Sequence, residues 1–116
     1  MRNDKDNLIV KETLQFSINI IKYCEFLDIN KKFVVSKQLL RSATSIGANV
    51  WEAQNAESKA DFIHKMKIAN KEADEVKYWL KICELAESYP SPNIEIIEDL
   101  ERINRILSKI ISSSKS

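Results

Sequence analysis

Apolar residues recur along most of this chain at three- and four-residue intervals, the period of a helix with a buried face. Ile9, Phe16, Ile20, Tyr23 and Leu27 form one line, and Val10, Leu14, Ile18 and Ile21 form a second beside it. Together they predict a helix over about 6–27, with Asp4 or Asp6 accepting from the free amides of its first turn. The two lines cover more than the arc of about 100° that a helix in a single bundle buries. That excess points to burial on a second side.

Asp28-Ile29-Asn30-Lys31-Lys32 reads as a short polar connection closed by Phe33, Val34 and Val35, with Ser36 as cap of a second helix over about 36–56. Its apolar stripe is Leu39, Ala43, Ile46, Val50 and Ala53. Beside it run the polar residues Gln38, Ser42, Ser45, Asn49 and Glu52, and behind it lie Leu40, Thr44, Gly47 and Trp51. Ser58 followed by Asp61 makes a variant of the capping box and opens the longest helix, about 59–88. Phe62, Met66, Ala69, Ala73, Val76, Leu80 and Cys83 mark its core line, with Ile68, Glu72, Glu75, Trp79 and Ile82 at the flanks. Tyr89-Pro90-Ser91-Pro92-Asn93 interrupts helical structure, because proline lacks the amide and clashes with the preceding turn. Ser91 is then expected to cap a last helix over about 93–112, with Pro92 in its first turn. Ile96, Leu100, Ile103, Leu107 and Ile110 line that helix, Ile97, Ile106 and Ile111 widen its face, and residues 112–116 are expected to fray. Four amphipathic helices with short connections predict an all-α, up-down-up-down four-helix bundle forming a single domain over residues 1–116.

Composition agrees with that picture. One Gly and two Pro in 116 residues leave little material for hairpins or glycine-dependent turns. Eighteen basic and seventeen acidic residues give a net charge of +1, so no whole-molecule field favours a polyanion or a membrane. The charge is unevenly spread: residues 31–81 are mildly basic and both flanks mildly acidic. Cys24 and Cys83 each lie in apolar helical pattern and are expected to be buried and reduced, as in a cytoplasmic protein. The polar first residues and the lack of an 18-residue apolar run predict a soluble, unexported protein with no membrane partner.

Catalytic chemistry finds no footing. A di-iron bundle needs two Glu-x-x-His pairs, and His64 is the single histidine; it lies off the core line. Apolar surroundings raise a thiol's pKa and make it inert, no base accompanies Ser42 or Ser45 in sequence, and one glycine cannot build a phosphate-cradling loop. The expectation is therefore no enzyme, no metal, no cofactor and no small-molecule substrate. Two roles are open to the polar stripe. Ser42, Ser45, Asn49 and Glu52 bond across to Arg41, Glu72 or Glu75 and set helix register, or they line a groove shared between chains. Leu40, Gly47 and Trp51 are the expected contact with a second copy, since a large aromatic beside a small residue suits an interface. Lys31, Lys32, Lys37, Arg41, Lys67, Lys71, Lys77 and Lys81 are the candidates for RNA or DNA; the bland reading is a solvated mixed-charge face.

Three stretches carry a resemblance. Arg41, Ser42, Ser45, Ile46, Asn49 and Glu52, then Ser58, Asp61 and Phe62, then Glu75, Tyr78, Trp79 and Leu80 resemble the pattern of bacterial four-helix-bundle proteins encoded in intervening sequences of 23S ribosomal RNA genes. The likeness spans about residues 8–110. Trp51 departs from it, standing where a small or aliphatic residue is common, as does Gln54-Asn55, where a glycine often follows. The resemblance implies an all-α bundle that forms rings, typically homopentamers, with no enzymatic activity attached. The family is also similar to accessory proteins of diversity-generating retroelements, which bind nucleic acid.

Overall fold

A computed structural model describes residues 7–115 of the chain, and Asp4 and Asp6, the expected first caps, lie outside them. The elements are α1 (Leu8–Ile29), α2 (Phe33–Ala53), α3 (Lys59–Leu85) and α4 (Ile94–Ser114). Each packs on its neighbours in sequence, and α4 returns to α1, so the helices form an antiparallel square. The bundle is a rod of 46 × 22 × 19 Å.

The apolar lines read from sequence meet along its axis. Phe16, Ile20 and Leu27 of α1, Leu39, Ile46 and Val50 of α2, Met66 and Val76 of α3, and Ile103 and Leu107 of α4 are all at most 1% exposed. In α4 the register differs by one residue at the end: Ile111 is buried and Ile110 only partly so. A helix advances 100° per residue, so an extra turn drifts the buried line onto the next position.

Helix ends are where sequence and structure part. Lys31 takes a left-handed backbone with φ 62°. It closes α1 with a Schellman pair, Lys32 N–H donating to Leu27 O at 2.8 Å and Lys31 N–H to Asp28 O at 2.9 Å. That reversal puts Phe33 at once into helical geometry. Ser36, expected as cap, sits inside α2 at 3% exposure; its hydroxyl donates to Cys24 O at 3.2 Å while the Cys24 thiol donates to Ser36 O at 3.4 Å. It is a cross-link between α1 and α2. Helix α2 ends at Ala53 rather than near 56, and α3 at Leu85 rather than 88. The expected cap at α3 holds, with Ser58 Oγ accepting from Asp61 N–H at 3.0 Å, but Asp61 reaches back to Glu57 N–H at 3.1 Å. Ser91 does not cap α4. Asn93, in extended backbone, accepts from Ile96 N–H at 2.9 Å, while Pro92 is buried ahead of the helix. Helix α4 then continues through Ser112 and Ser113 to Ser114, with the Ser113 hydroxyl bonded to Lys109 O, where fraying was expected.

Candidate interaction surface

The polar stripe of α2 faces α3, yet most of it does not reach across. Ser42 is fully buried and donates to Gln38 O and Leu39 O, and Asn49 donates to Ser45 O, all within α2. A short hydroxyl or amide satisfies itself on the carbonyl one turn back more easily than across a helix–helix gap. The crossing is made by longer side chains. The Arg41 guanidinium lies on Glu75 at 2.5 Å and on Glu72 at 3.4 Å, and Glu52 pairs with Lys65 at 3.6 Å. Glu75 also accepts from the Trp79 indole N–H at 3.0 Å. The bonds from Trp79 and Arg41 hold its carboxyl below the ordinary carboxylate range, and its partnership raises Arg41. Across the bundle, Arg102 repeats the device: it binds Glu12 of α1 through two nitrogens and Asp99 of its own helix.

Two of the three expected contacts for a second copy, Gly47 and Trp51, line one groove, and the third lies further along α2. Gly47 belongs to the seam between α1 and α2: a Cβ there would stand 3.3 Å from Ser17 Oγ and 3.4 Å from Thr13 O. Leu40 is partly buried against the core. Trp51 alone of the three is an exposed large side chain, at 57%. It borders a shallow groove of about 230 Å³ with Val10, Leu14, Thr44, Gly47 and Ala48. The hydroxyls of this groove are turned inward, Thr13 onto Ile9 O, Ser17 onto Thr13 O and Thr44 onto Leu40 O, so the face it offers is apolar. The second apolar line of α1 continues that face, for Leu14, Ile18 and Ile21 remain 40–52% exposed. Ile29, Phe33 and Val34, which reading the segment as a connection had hidden, are more exposed still. Their signal was present in the Phe33-Val34-Val35 run; only the start of α2 at Phe33 turns that run into a surface.

The eight basic candidates are not gathered into one patch. Arg41 is consumed by its two carboxylates. Lys31 and Lys32 sit at the α1–α2 turn, where the Lys32 ammonium lies 5.0 Å from the centre of the Tyr89 ring. Lys37 is exposed on α2. Lys67, Lys71, Lys77 and Lys81 are exposed along α3, Lys81 within 3.4 Å of Glu84. Tyr78, quoted in the family pattern but not chosen as a site residue, stands among them at 60% exposure.

Inside the bundle, Cys24 and Cys83 are buried and unpaired thiols. Burial pushes the Cys24 thiol up to about 11 and raises Cys83 too; Tyr23 is raised in the same way, its hydroxyl donating to Pro90 O. These are protonated, unreactive groups at neutral pH. Among the described residues no three His, Cys, Asp or Glu side chains cluster as metal ligands, and no helix is long and apolar enough to cross a membrane.

Comparison with known proteins agrees with the geometry. The family model described as 23S rRNA-intervening sequence protein matches residues 5–109. Among solved structures, a protein of unknown function from the S23 ribosomal protein family of Bacteroides thetaiotaomicron VPI-5482 superposes with a TM-score of 0.84. It is 44% identical, over 90% of this chain and 98% of that one. No curated protein matches the chain.

Proposed function

We propose, for a chain that belongs to the 23S rRNA-intervening sequence protein family, that it is a non-enzymatic helical-bundle module that assembles with copies of itself through the outer face of α1 and α2. The observation that carries this is the apolar face itself: Leu14, Ile18, Ile21 and Trp51 stand 40–57% exposed beside an apolar groove. Burying a large apolar side chain completely is worth roughly 1.5–3 kcal/mol. Covering four half-exposed ones therefore supplies several kcal/mol, which a lone bundle forgoes. A further set, Phe26, Leu85 and Ile94, is exposed near the end of the rod that carries the α1–α2 turn. Two different apolar surfaces on one chain suit a head-to-tail contact, and such a contact makes a ring where its rotation closes; the resemblance implies five copies. The setting we propose is cytoplasmic, without cofactor or small-molecule substrate, which fits the inert thiols and the self-satisfied hydroxyls.

Light scattering on the eluting protein tests this. The wild-type chain, 13.4 kDa, is expected to elute at a multiple of that mass, about fivefold for the ring. Trp51→Glu and Ile18→Glu are expected to shift it toward the single chain with an unchanged circular dichroism spectrum, since both side chains are exposed. A wild-type mass of one chain, or variants that keep the wild-type mass, would overturn the proposal.

A second reading is favoured by one observation. Lys67, Lys71 and Lys77 are exposed on α3 with no carboxylate at ion-pair distance among the described residues. RNA or DNA binding through this surface, repeated around an assembly, would gain from multivalency.

A further inference from the structure

Along the outer side of α3, Lys67, Lys71, Tyr78 and Lys81 recur at helical spacing, with Lys77 beside Tyr78. From Lys67 to Lys81 the helix rises about 21 Å. The acids of this region are largely spoken for. Glu72 and Glu75 are held by Arg41, and Glu84 by Lys81; the exposed exceptions are Asp74 on the same helix and Glu101 of α4, which shares a groove with Lys77 and Lys81. The stretch is thus net positive, with an aromatic ring in it.

That ring is braced. Tyr78 meets Trp79 edge-on, with centroids 5.2 Å apart and planes at 70°. The Trp79 indole is tied to Glu75 at 3.0 Å, and Glu75 to Arg41 of α2. A chain of contacts therefore runs from α2 through Arg41, Glu75 and Trp79 to Tyr78. It gives one edge of the Tyr78 ring a fixed neighbour while the side chain stays 60% exposed. A pre-ordered ring loses little freedom on stacking.

Resting on the nucleic-acid reading above, we infer that the outer face of α3 takes a single-stranded nucleic acid, Tyr78 stacking on a base while Lys67, Lys71 and Lys77 contact phosphates. The charge selects a polyanion. The ring selects an unstacked base, because a duplex keeps its base faces covered and an acidic peptide supplies none.

The test is fluorescence anisotropy of labelled oligouridine, oligothymidine and a duplex of equal length with the full chain at low and moderate salt. Single strands are expected to bind more tightly than the duplex. Three phosphate contacts give a slope near −2 in log affinity against log salt, or about a 20-fold loss for a fourfold rise in salt. Tyr78→Ala is expected to weaken binding by roughly fivefold to a hundredfold, Tyr78→Phe to preserve it, and Lys67→Glu with Lys71→Glu to abolish it, each with an unchanged circular dichroism spectrum. Salt-sensitive binding that Tyr78→Ala leaves intact, or a duplex bound as tightly as a single strand, overturns the stacking role and leaves the basic-face reading standing. No salt-sensitive binding of any probe overturns both.

Discussion

Lys31 ends α1 in the left-handed conformation, φ 62°, that glycine adopts without strain and other residues occupy at a cost of about 1–2 kcal/mol. The only glycine in the chain is placed elsewhere, at Gly47 in the α1–α2 seam. Lys31→Gly relieves the strain but frees the unfolded chain, which offsets part of the gain. The expected net effect is about 1 kcal/mol of added stability, read from the midpoint of chemical unfolding. Cys24 gives a second prediction at this scale. Its thiol has an ordinary value of 9.0 and is pushed up to about 11 in the fold, so the unfolded chain loses that proton first. Stability is therefore intact below pH 9 and falls as pH rises toward 11, with the raised Tyr23 and Cys83 acting in the same direction. Urea unfolding across that range should show this alkaline limb. At neutral pH an aromatic disulfide reagent should label neither cysteine until the protein is denatured.

Among the elements, the helix bodies were legible and the helix ends were not. A body is a period repeated over twenty or more residues, and each further apolar residue at that period confirms it. An end depends on one or two residues competing for a few free amides. Ser36 and Ser91 are both acceptable caps by residue type, but Ser36 is drawn into the core by its bond to Cys24, and Asn93 is better placed than Ser91 once Pro92 is buried. Asn93→Ala is accordingly expected to cost about 1 kcal/mol, whereas Ser91→Ala should change the thermal midpoint little; equal losses would contradict the assignment. The seams are tied by different chemistries: Arg102 joins α4 to α1, Arg41 joins α2 to α3, and the Cys24 thiol and Ser36 hydroxyl, each donating to the other's backbone carbonyl, join α1 to α2. Exposed ion pairs of this kind are worth about 0–1 kcal/mol each. They select which helices lie side by side more than they hold the bundle together.

For the whole molecule, the informative feature is a rod whose inner core is complete and whose outer α1–α2 face is still apolar. The two lines on α1 announced this face, since one helix cannot bury both against a single bundle. The radius of gyration of one bundle, 14.7 Å over its Cα atoms, gives the assembly prediction a second measurement. Small-angle scattering of wild type should exceed that value clearly, and Trp51→Glu should bring it back close to it. The polar stripe of α2, by contrast, was legible as polar but not as to its partners. Ser42 and Asn49 close on their own helix, and the crossing falls to Arg41, on Glu72 and Glu75, and to Glu52, on Lys65.

The order of apolar and polar residues determined by itself the number of helices and the residues that face the axis, because burial of apolar surface is a property that each residue carries with it. Tertiary structure alone decided that Gly47 serves the packing of α1 on α2, that Arg41 is neutralised, and that Tyr78 is braced on an open lysine-bearing face. Those outcomes depend on which side chains are long enough to cross a given gap between helices, and that gap exists only once all four are packed.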